Sequence, residues 1–408
     1  VVERRIVLQH CEVIDPGDIA TYIKRGGFKA LDKARKMAPE EVISQVKASR
    51  LKGRGGAGFP CGVKWELARK APGDEKFVIC NADEGEVGTF KDRYILQNDP
   101  FSLIEAIAIA SYAIGAKKAY IYLRAEYHYL LDVIKGAIDQ AKEKGMFGGL
   151  VIEIREGVGA YVCGEESALM NSIEGRRGEA RFRPPFPSTS GLFGKPTIIN
   201  NVETLMNIPR IVSNGASWFA EMGTKESTGT KVFSVSGDVE RPGVYELVMG
   251  SRLSEVVREL AGAKEVKMVQ VGGATGGIVP GSMIETPLSY ETVLGSGAIT
   301  VLNNTRDVID FVYRSMEFLN EESCGECTPC REGTEVMVEI LGRLTKGEGV
   351  QEDIGVLEEL SNVMMLSSLC GLGQAAPIPV LDTLKYFRND YENRIKQSVF
   401  LRALRGIV

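Results

Sequence analysis

The sequence predicts an α/β sandwich on a largely parallel sheet, continued by a small β-rich module and closed by a helical segment carrying four spaced cysteines. Three observations predict it. Strand-like runs alternate with helix-like runs between residues 77 and 154, the texture changes to paired strand-like runs from about residue 230, and apolar residues recur at helix spacing from about residue 306.

Taken in order, Asp18-Ile-Ala-Thr-Tyr-Ile and Pro39-Glu-Glu-Val-Ile-Ser-Gln-Val-Lys read as helix starts with apolar residues three and four apart, so residues 18 to 51 are expected to be helical. A Gly-rich loop, Gly53 to Pro60, follows, with a helix expected to begin near Val63. Next come strand Phe77 to Cys80, helix 101 to 114, strand Ala119 to Leu123, helix 128 to 144 and strand Val151 to Ile154. The segment from Arg181 to Thr204 is Pro-rich at its start and is expected to be irregular, as functional stretches of compact domains often are. Lys231 to Val239 and Gly243 to Leu247 flank the turn signal Glu240-Arg-Pro-Gly, and helix 253 to 262 and strand 266 to 271 follow, a pattern that resembles a ubiquitin-like β-grasp module. Helices are expected over 306 to 319, 333 to 345, 352 to 365 and 378 to 387, with the cysteines in loops at their ends.

Composition removes several function classes. A chain of 408 residues with 44% apolar and 25% charged residues has room for two to four domains. Net charge of −5 supplies no basic field, so nucleic acid is not an expected partner. The most apolar stretch, Leu103 to Ala116, is short and contains Glu105, so it reads as a buried helix and direct membrane insertion is not expected. The start, Val-Val-Glu-Arg-Arg, lacks the apolar core of a secretory signal, and the compartment is expected to be reducing and cytoplasmic. Only two histidines, His10 and His128, are present, which argues against His-rich metal centres and Ser-His-Asp hydrolysis. The chemistry is therefore expected to belong to cofactors.

Cys324, Cys327 and Cys330 form a C-x2-C-x2-C run, and Cys370 stands alone inside Ser368-Leu-Cys370-Gly-Leu-Gly373. Three consecutive thiolates with one remote partner are how a chain wraps a cubane iron–sulfur cluster. Structural zinc also takes four thiolates, but usually as two separated pairs, and remains the rival reading. Cys11, Cys61, Cys80 and Cys163 are scattered and read as small apolar fillers.

Four other segments stand out. Gly53-Arg54-Gly55-Gly56-Ala57-Gly58-Phe59 matches G-x-G-x-x-G, but a helix rather than a strand precedes it, so the dinucleotide fingerprint fails in context. Its exposed amides could still face a phosphate or flavin, and a flexible surface loop is the alternative. Asn81-Ala-Asp83-Glu84-Gly-Glu86 to Arg93 follows a buried strand, where α/β proteins bind ligands, and a solvated acidic loop is the alternative. Gly157-Val-Gly-Ala-Tyr161-Val-Cys-Gly164-Glu165-Glu166-Ser167 pairs carboxylates at a helix start, as an acid and base or as a cap. Arg183, Phe186, Asn200 and Asn201 lie in the fourth, Pro-rich segment.

These segments, with Glu322-Ser-Cys324-Gly-Glu-Cys327-Thr-Pro-Cys330-Arg-Glu-Gly333, resemble in unbroken order the NADH-oxidising flavoprotein subunit of respiratory complex I and its soluble relatives in NAD-linked hydrogenases, including electron-bifurcating ones, and formate dehydrogenases. The resemblance implies a Rossmann-like FMN-binding α/β sandwich over 1–228, a β-grasp domain over 229–305 and a helical bundle with one 4Fe-4S cluster over 306–408. It implies FMN at the Gly53 to Gly58 loop with Lys64, Asn81, Asp83, Tyr161, Gly164, Asn200 and Asn201 around it, and Glu84 and Glu165 in the same motifs. NADH is implied over the flavin, its adenine between Phe59 and Phe186, with Glu86 and Glu166 meeting the dinucleotide. The cluster ligands are implied to be Cys324, Cys327, Cys330 and Cys370. Implied partners are a thioredoxin-like 2Fe-2S subunit and a larger iron–sulfur subunit of hydrogenase, formate dehydrogenase or complex I type.

Four departures mark this chain. Leu67, Val87 and Arg183 stand where relatives often have Phe, Pro and Lys, and Glu156 stands where an Arg is common. Arg183 can grip a phosphate bidentately, which Lys cannot, and so bears on the choice between NADH and NADPH. Glu156 and a short segment before Gly157 lean toward the soluble hydrogenase relatives. Arg331, next to Cys330, is a candidate for tuning the cluster. The rival from another class is an electron-transfer adaptor that carries FMN and iron–sulfur but does not oxidise nicotinamide. Such adaptors carry ferredoxin-type C-x2-C-x2-C-x3-C-P runs, which this chain lacks.

Overall fold

The computed structural model describes residues 3–396, so the last residues of the expected 306–408 bundle lie outside the described ones. The chain divides into two compact units. Among the described residues, the first holds 3–264 with 271–273 and 283–301, and the second holds 265–270, 274–282 and 302–396.

In the first unit, four parallel strands, β1 (Phe77–Ala82), β2 (Lys118–Leu123), β3 (Val151–Glu156) and β4 (Thr197–Asn201), form a sheet in the order β3-β2-β1-β4. Phe77 is in register with both Lys118 and Thr197, and Lys118 with Val151. The chain adds β2 and β3 on one side of β1 and then returns to place β4 on the other. The strand order therefore reverses between β1 and β4, and ligands in open α/β sheets sit at the carboxyl ends of strands at such a point. β4 is a correction to the sequence reading, which took 181–204 as irregular throughout. Thr197-Ile-Ile-Asn-Asn is a short β-branched strand whose Pro- and Gly-rich approach hid its pattern.

The helix Pro100–Ile114 is buried on nearly every face, as its largely apolar sequence requires. Its one carboxylate, Glu105, accepts from the amides of Phe28 and Leu31 at 2.9 Å and from Tyr22 Oη, so it caps the helix Lys29–Arg35 from inside the core. The helical expectation over 18–51 resolves into Ile19–Lys24, Lys29–Arg35 and Pro39–Ala48. The first break falls at Gly26 and Phe28, both with positive φ.

β5 (Thr230–Gly237) and β6 (Gly243–Val248) form an antiparallel hairpin, and the strand Ala298–Leu302 pairs parallel to β5, the mixed pairing of the expected β-grasp module. The expected helix 253 to 262 is a single wide turn, Glu255–Leu260. In the second unit the helices Val308–Glu321, Thr328–Thr345, Asp353–Ser367 and Ile378–Tyr386 agree with the predicted periodicity. Among the described residues, no helix is long and apolar enough to cross a membrane.

Candidate functional site

The carboxyl ends of β1 and β4 present Asn81 and Asn201 as register partners, and the Gly-rich loop lies directly over them. A Cβ on Gly55 would stand 3.1 Å from Asn201 Cβ, so a side chain there would push Asn201 aside by a few tenths of an ångström. Gly58 has φ +67° and its Cβ would meet the Tyr290 ring at 2.7 Å. The loop is closed at its base by Gly53 N–H to Phe59 O at 2.9 Å and Cys61 N–H to Leu51 O at 2.8 Å, and the helix Cys61–Lys70 follows.

Arg54 is fully buried. Its guanidinium donates to the carbonyls of Thr228 (2.5 Å), Thr230 (3.0 Å) and Lys52 (3.1 Å). Its backbone N–H donates to Thr204 Oγ1 at 2.7 Å. Its side chain is thus an anchor for the loop. Tyr290 Oη adds a bond to Gly53 O.

The other predicted residues converge on the same point. Asn81 Nδ2 donates to Gly164 O at 2.8 Å, and a Cβ on Gly164 would lie 3.3 Å from Asp83 O. Lys64 Nζ reaches Ile199 O (3.1 Å) and Glu166 Oε2 (3.0 Å). Asn200 Oδ1 accepts from Trp65 Nε1 at 2.9 Å. Tyr161 Oη donates to Glu86 Oε2 at 2.8 Å. Glu165 caps the helix Glu166–Ile173 through the amides of Ser167 and Ala168. Arg183 bridges the paired carboxylates, with Nη2 to Glu165 at 2.9 Å and Nη1 to Glu166 at 3.0 Å. Phe59 and Phe186 are about half exposed, and Lys64 Nζ lies 5.9 Å from the Phe59 ring centre. An open groove of about 570 Å³, lined by Arg181, Phe182, Arg183, Pro185 and Phe193 among others, adjoins this latch without reaching the Gly-rich loop.

Glu84 departs from this grouping. Its buried carboxylate accepts from the amides of Asp92 and Arg93 and from Tyr127 Oη, holding the start of the helix Lys91–Asn98, and burial with the nearby Asp92 charge raises its pKa to about 7. Sequence reading also missed a buried ionic array. Lys91, Asp92, Glu203 and Lys231 are each almost wholly buried, and Glu203 receives both lysines. The signal was present in Lys91-Asp92, a charged pair opening an otherwise amphipathic helix, but only the tertiary fold brings in Glu203 and Lys231.

In the second unit, Cys327 caps the helix Thr328–Thr345, Cys370 caps the helix Gly371–Ala375, and Cys324 precedes them in the loop. Cys330 lies within the first turn of its helix, a correction to the expected loop position, because Pro329 starts the helix early. Leu369 N–H donates to Cys327 Sγ at 3.4 Å, and a Cβ on Gly373 would come within 2.8 Å of Cys330 Cβ. Burial pushes the Cys330 thiol up to about 11, and the nearby Cys327, Cys370 and Cys324 add to it. Arg331 closes the turn between Cys324 and Cys327 through Gly325 O at 2.7 Å. Among the described residues no three His, Cys, Asp or Glu side chains already close to single-ion distances, which a cubane with one thiolate per iron does not require.

A Gly-rich cradle at a sheet switch point, in one chain with a C-x2-C-x2-C…C set, defines a flavin and iron–sulfur oxidoreductase subunit. Residues 46–210 match the Nuo51 FMN-binding domain and residues 310–394 the iron–sulfur binding region of NADH-ubiquinone oxidoreductase-F. The chain is 44% identical to NADP-reducing hydrogenase subunit HndC of Solidesulfovibrio fructosivorans, over 96% of its length and 83% of that protein. It is 41% identical to an NADH-quinone oxidoreductase subunit of Rhizobium meliloti, over 96% of its length and 98% of that protein. A crystal structure of NAD+-reducing [NiFe]-hydrogenase in the H2-reduced state superposes with a TM-score of 0.88 at 38% identity, covering 97% of this chain and 68% of that one. The chain belongs to the family of these FMN- and 4Fe-4S-carrying, NADH-dependent oxidoreductase subunits.

Proposed function

We propose that this chain oxidises NADH at an FMN held over the β1/β4 switch point and delivers electrons to a 4Fe-4S cluster on Cys324, Cys327, Cys330 and Cys370. The carrying observation is the close approach of the Gly-rich loop to Asn201, beside the strand ends where Asn81, Asn200, Lys64 and Gly164 are placed. When bound, FMN would supply the exchange between a two-electron donor and one-electron carriers, which suits a 4Fe-4S cluster as the next carrier. The residues' task is then to bind and orient, since hydride leaves the dinucleotide without a protein acid or base. Asp83 and Tyr161 complete the flavin side, and Tyr161 fixes the Glu86 carboxylate.

Glu86, Glu165 and Glu166 are placed to accept from ribose hydroxyls, with Phe59 and Phe186 offering faces to the adenine. Arg183 now occupies two of these carboxylates, so entry of the dinucleotide exchanges that latch for ribose or phosphate contacts. The chain works in a cytoplasmic multisubunit assembly, with a thioredoxin-like 2Fe-2S subunit and a larger iron–sulfur subunit of hydrogenase, formate dehydrogenase or complex I type. Its three functional parts are 1–228 for FMN and nicotinamide, 229–305 for the β-grasp and 306–408 for the cluster.

The test is anaerobic purification followed by separate addition of NADH and NADPH. Rapid bleaching of bound flavin by NADH, with a reduced-cluster EPR signal, is the expected result. Bleaching by NADPH alone moves the choice of donor to Arg183. Bound flavin and iron that neither nucleotide reduces would establish the adaptor function instead.

A further inference from the structure

Behind the Gly-rich loop lies a continuous chain of buried charges. Asn201 donates from Nδ2 to Asp92 Oδ2 at 2.6 Å, and its Oδ1 accepts from the Glu203 amide at 3.0 Å and faces Lys91 Nζ at 3.5 Å. Lys91 Nζ bonds Asp92 Oδ1 at 2.7 Å and Glu203 Oε2 at 3.0 Å, and Lys231 Nζ bonds Glu203 Oε2 at 2.5 Å and Val232 O at 2.8 Å. The four charged side chains are no more than 3% exposed. Two lysines face two carboxylates, so the array is formally balanced with both lysines protonated, and burial lowers the Lys231 pKa to about 7. Glu84 approaches through the amide of Asp92, and Arg54 stands near Glu203 while bonded to three backbone carbonyls.

A buried ion array is a poor way to hold a fold together, because apolar residues of equal volume usually stabilise as well or better. This one ends on Asn201, the side chain on which Gly55 rests. Its placement is therefore functional in its logic: unscreened charges act over distance toward whatever lies in the cradle.

We propose that the Lys91–Asp92–Glu203–Lys231 array is a positioning device that sets the reduction potential of the flavin through its charge balance. The proposal rests on the flavin reading above. Two-electron reduction adds negative charge to the flavin. Removing a buried carboxylate leaves an excess positive charge behind the cradle and favours the reduced form, while removing a buried ammonium does the opposite.

The experiment is anaerobic spectroelectrochemical titration of the full-length holoprotein at one fixed pH, comparing Asp92→Asn, Lys91→Met, Lys231→Met and the Asp92→Asn/Lys91→Met double variant. Asp92→Asn is expected to raise the ratio of reduced- to oxidised-flavin affinity about tenfold, equivalent to about 30 mV upward for a two-electron couple. Lys91→Met and Lys231→Met are expected to lower it, and the double variant to return close to the parent. A merely structural array predicts a different pattern, in which every substitution lowers stability and flavin retention and the double variant is worst, with no sign reversal in potential. Shifts of one sign, or an unmoved potential in flavin-loaded variants, overturn the proposal. Should a single variant fail to fold, the charge-balanced double variant and Lys231→Met carry the comparison. Failure of the flavin reading itself is separate, since the unsubstituted chain then binds no flavin.

Discussion

Removal of the Arg54 guanidinium is the sharpest probe of how the cradle is built. In Arg54→Ala the carbonyls of Lys52, Thr228 and Thr230 lose a charged donor at once, in a place from which water is excluded. An orphaned buried acceptor costs about 1–3 kcal/mol, and three of them, relieved in part by water entering the space left behind, give about 3–5 kcal/mol. The Arg54 N–H to Thr204 bond does not depend on the side chain, so the loop loses its lateral anchor to residues 228–230 but keeps its contact with residue 204. Arg54→Lys offers three donors on one nitrogen without the planar fork, and roughly half of the loss is expected to return. On a chain of this size the full loss corresponds to a fall in Tm of about 4–6 °C. Calorimetric unfolding with and without FMN, together with amide exchange at Gly53 and Arg54, reads both stability and loop order. A variant that melts within about 2 °C of the parent and retains its flavin refutes the anchoring role.

The remaining predictions address the cap, the cluster, the latch and the loop. Glu246 is fully buried, accepting from the amides of Ile6, Val7 and Leu8 and from Thr230, and burial raises its pKa to about 7. Between its unfolded value near 4.5 and about 7 the native state holds the extra proton, so its contribution is full below that window and is lost as pH rises through it, by on the order of 3 kcal/mol. Glu246→Gln is expected to flatten that part of the stability–pH curve, checked by denaturant titration from pH 4.5 to 8. Cys370→Ser is expected to abolish bound iron and acid-labile sulfide while leaving flavin content unchanged; equal loss of both cofactors would show that the thiol does something else. Arg183→Met is expected to change stability by less than about 1 kcal/mol, because its ion pairs are partly exposed, yet to alter the NADH-to-NADPH ratio of kcat/KM. Gly55→Ala places a methyl 3.1 Å from Asn201 and is expected to weaken FMN binding about tenfold or more with little change in fold, as read by flavin fluorescence on titration.

How much of this was legible in the sequence follows from where the controlling physics lies. Helices such as Val308–Glu321 and Thr328–Thr345 carry their burial in their own periodicity, so they were readable locally. β4 was not, because five residues after a run of Pro and Gly carry too little pattern, and its place beside β1 is fixed only by the sheet. Yet β4 is what creates the switch point. Glu84 and Arg54 show the converse limit: both sit in motifs rich in ligand-binding residues, and both turn inward, Glu84 to the amides of 92 and 93 and Arg54 to three carbonyls. A motif marks a neighbourhood and leaves open which side chains face the ligand and which hold the backbone. Asn201 connects the two roles, since its register partner is Asn81 on the ligand side and its amide is held by Asp92 on the buried side. Substitution at Asn201 therefore disturbs cradle and array together, whereas Asp92 and Lys91 lie one bond further back and separate the field of the array from the shape of the cradle.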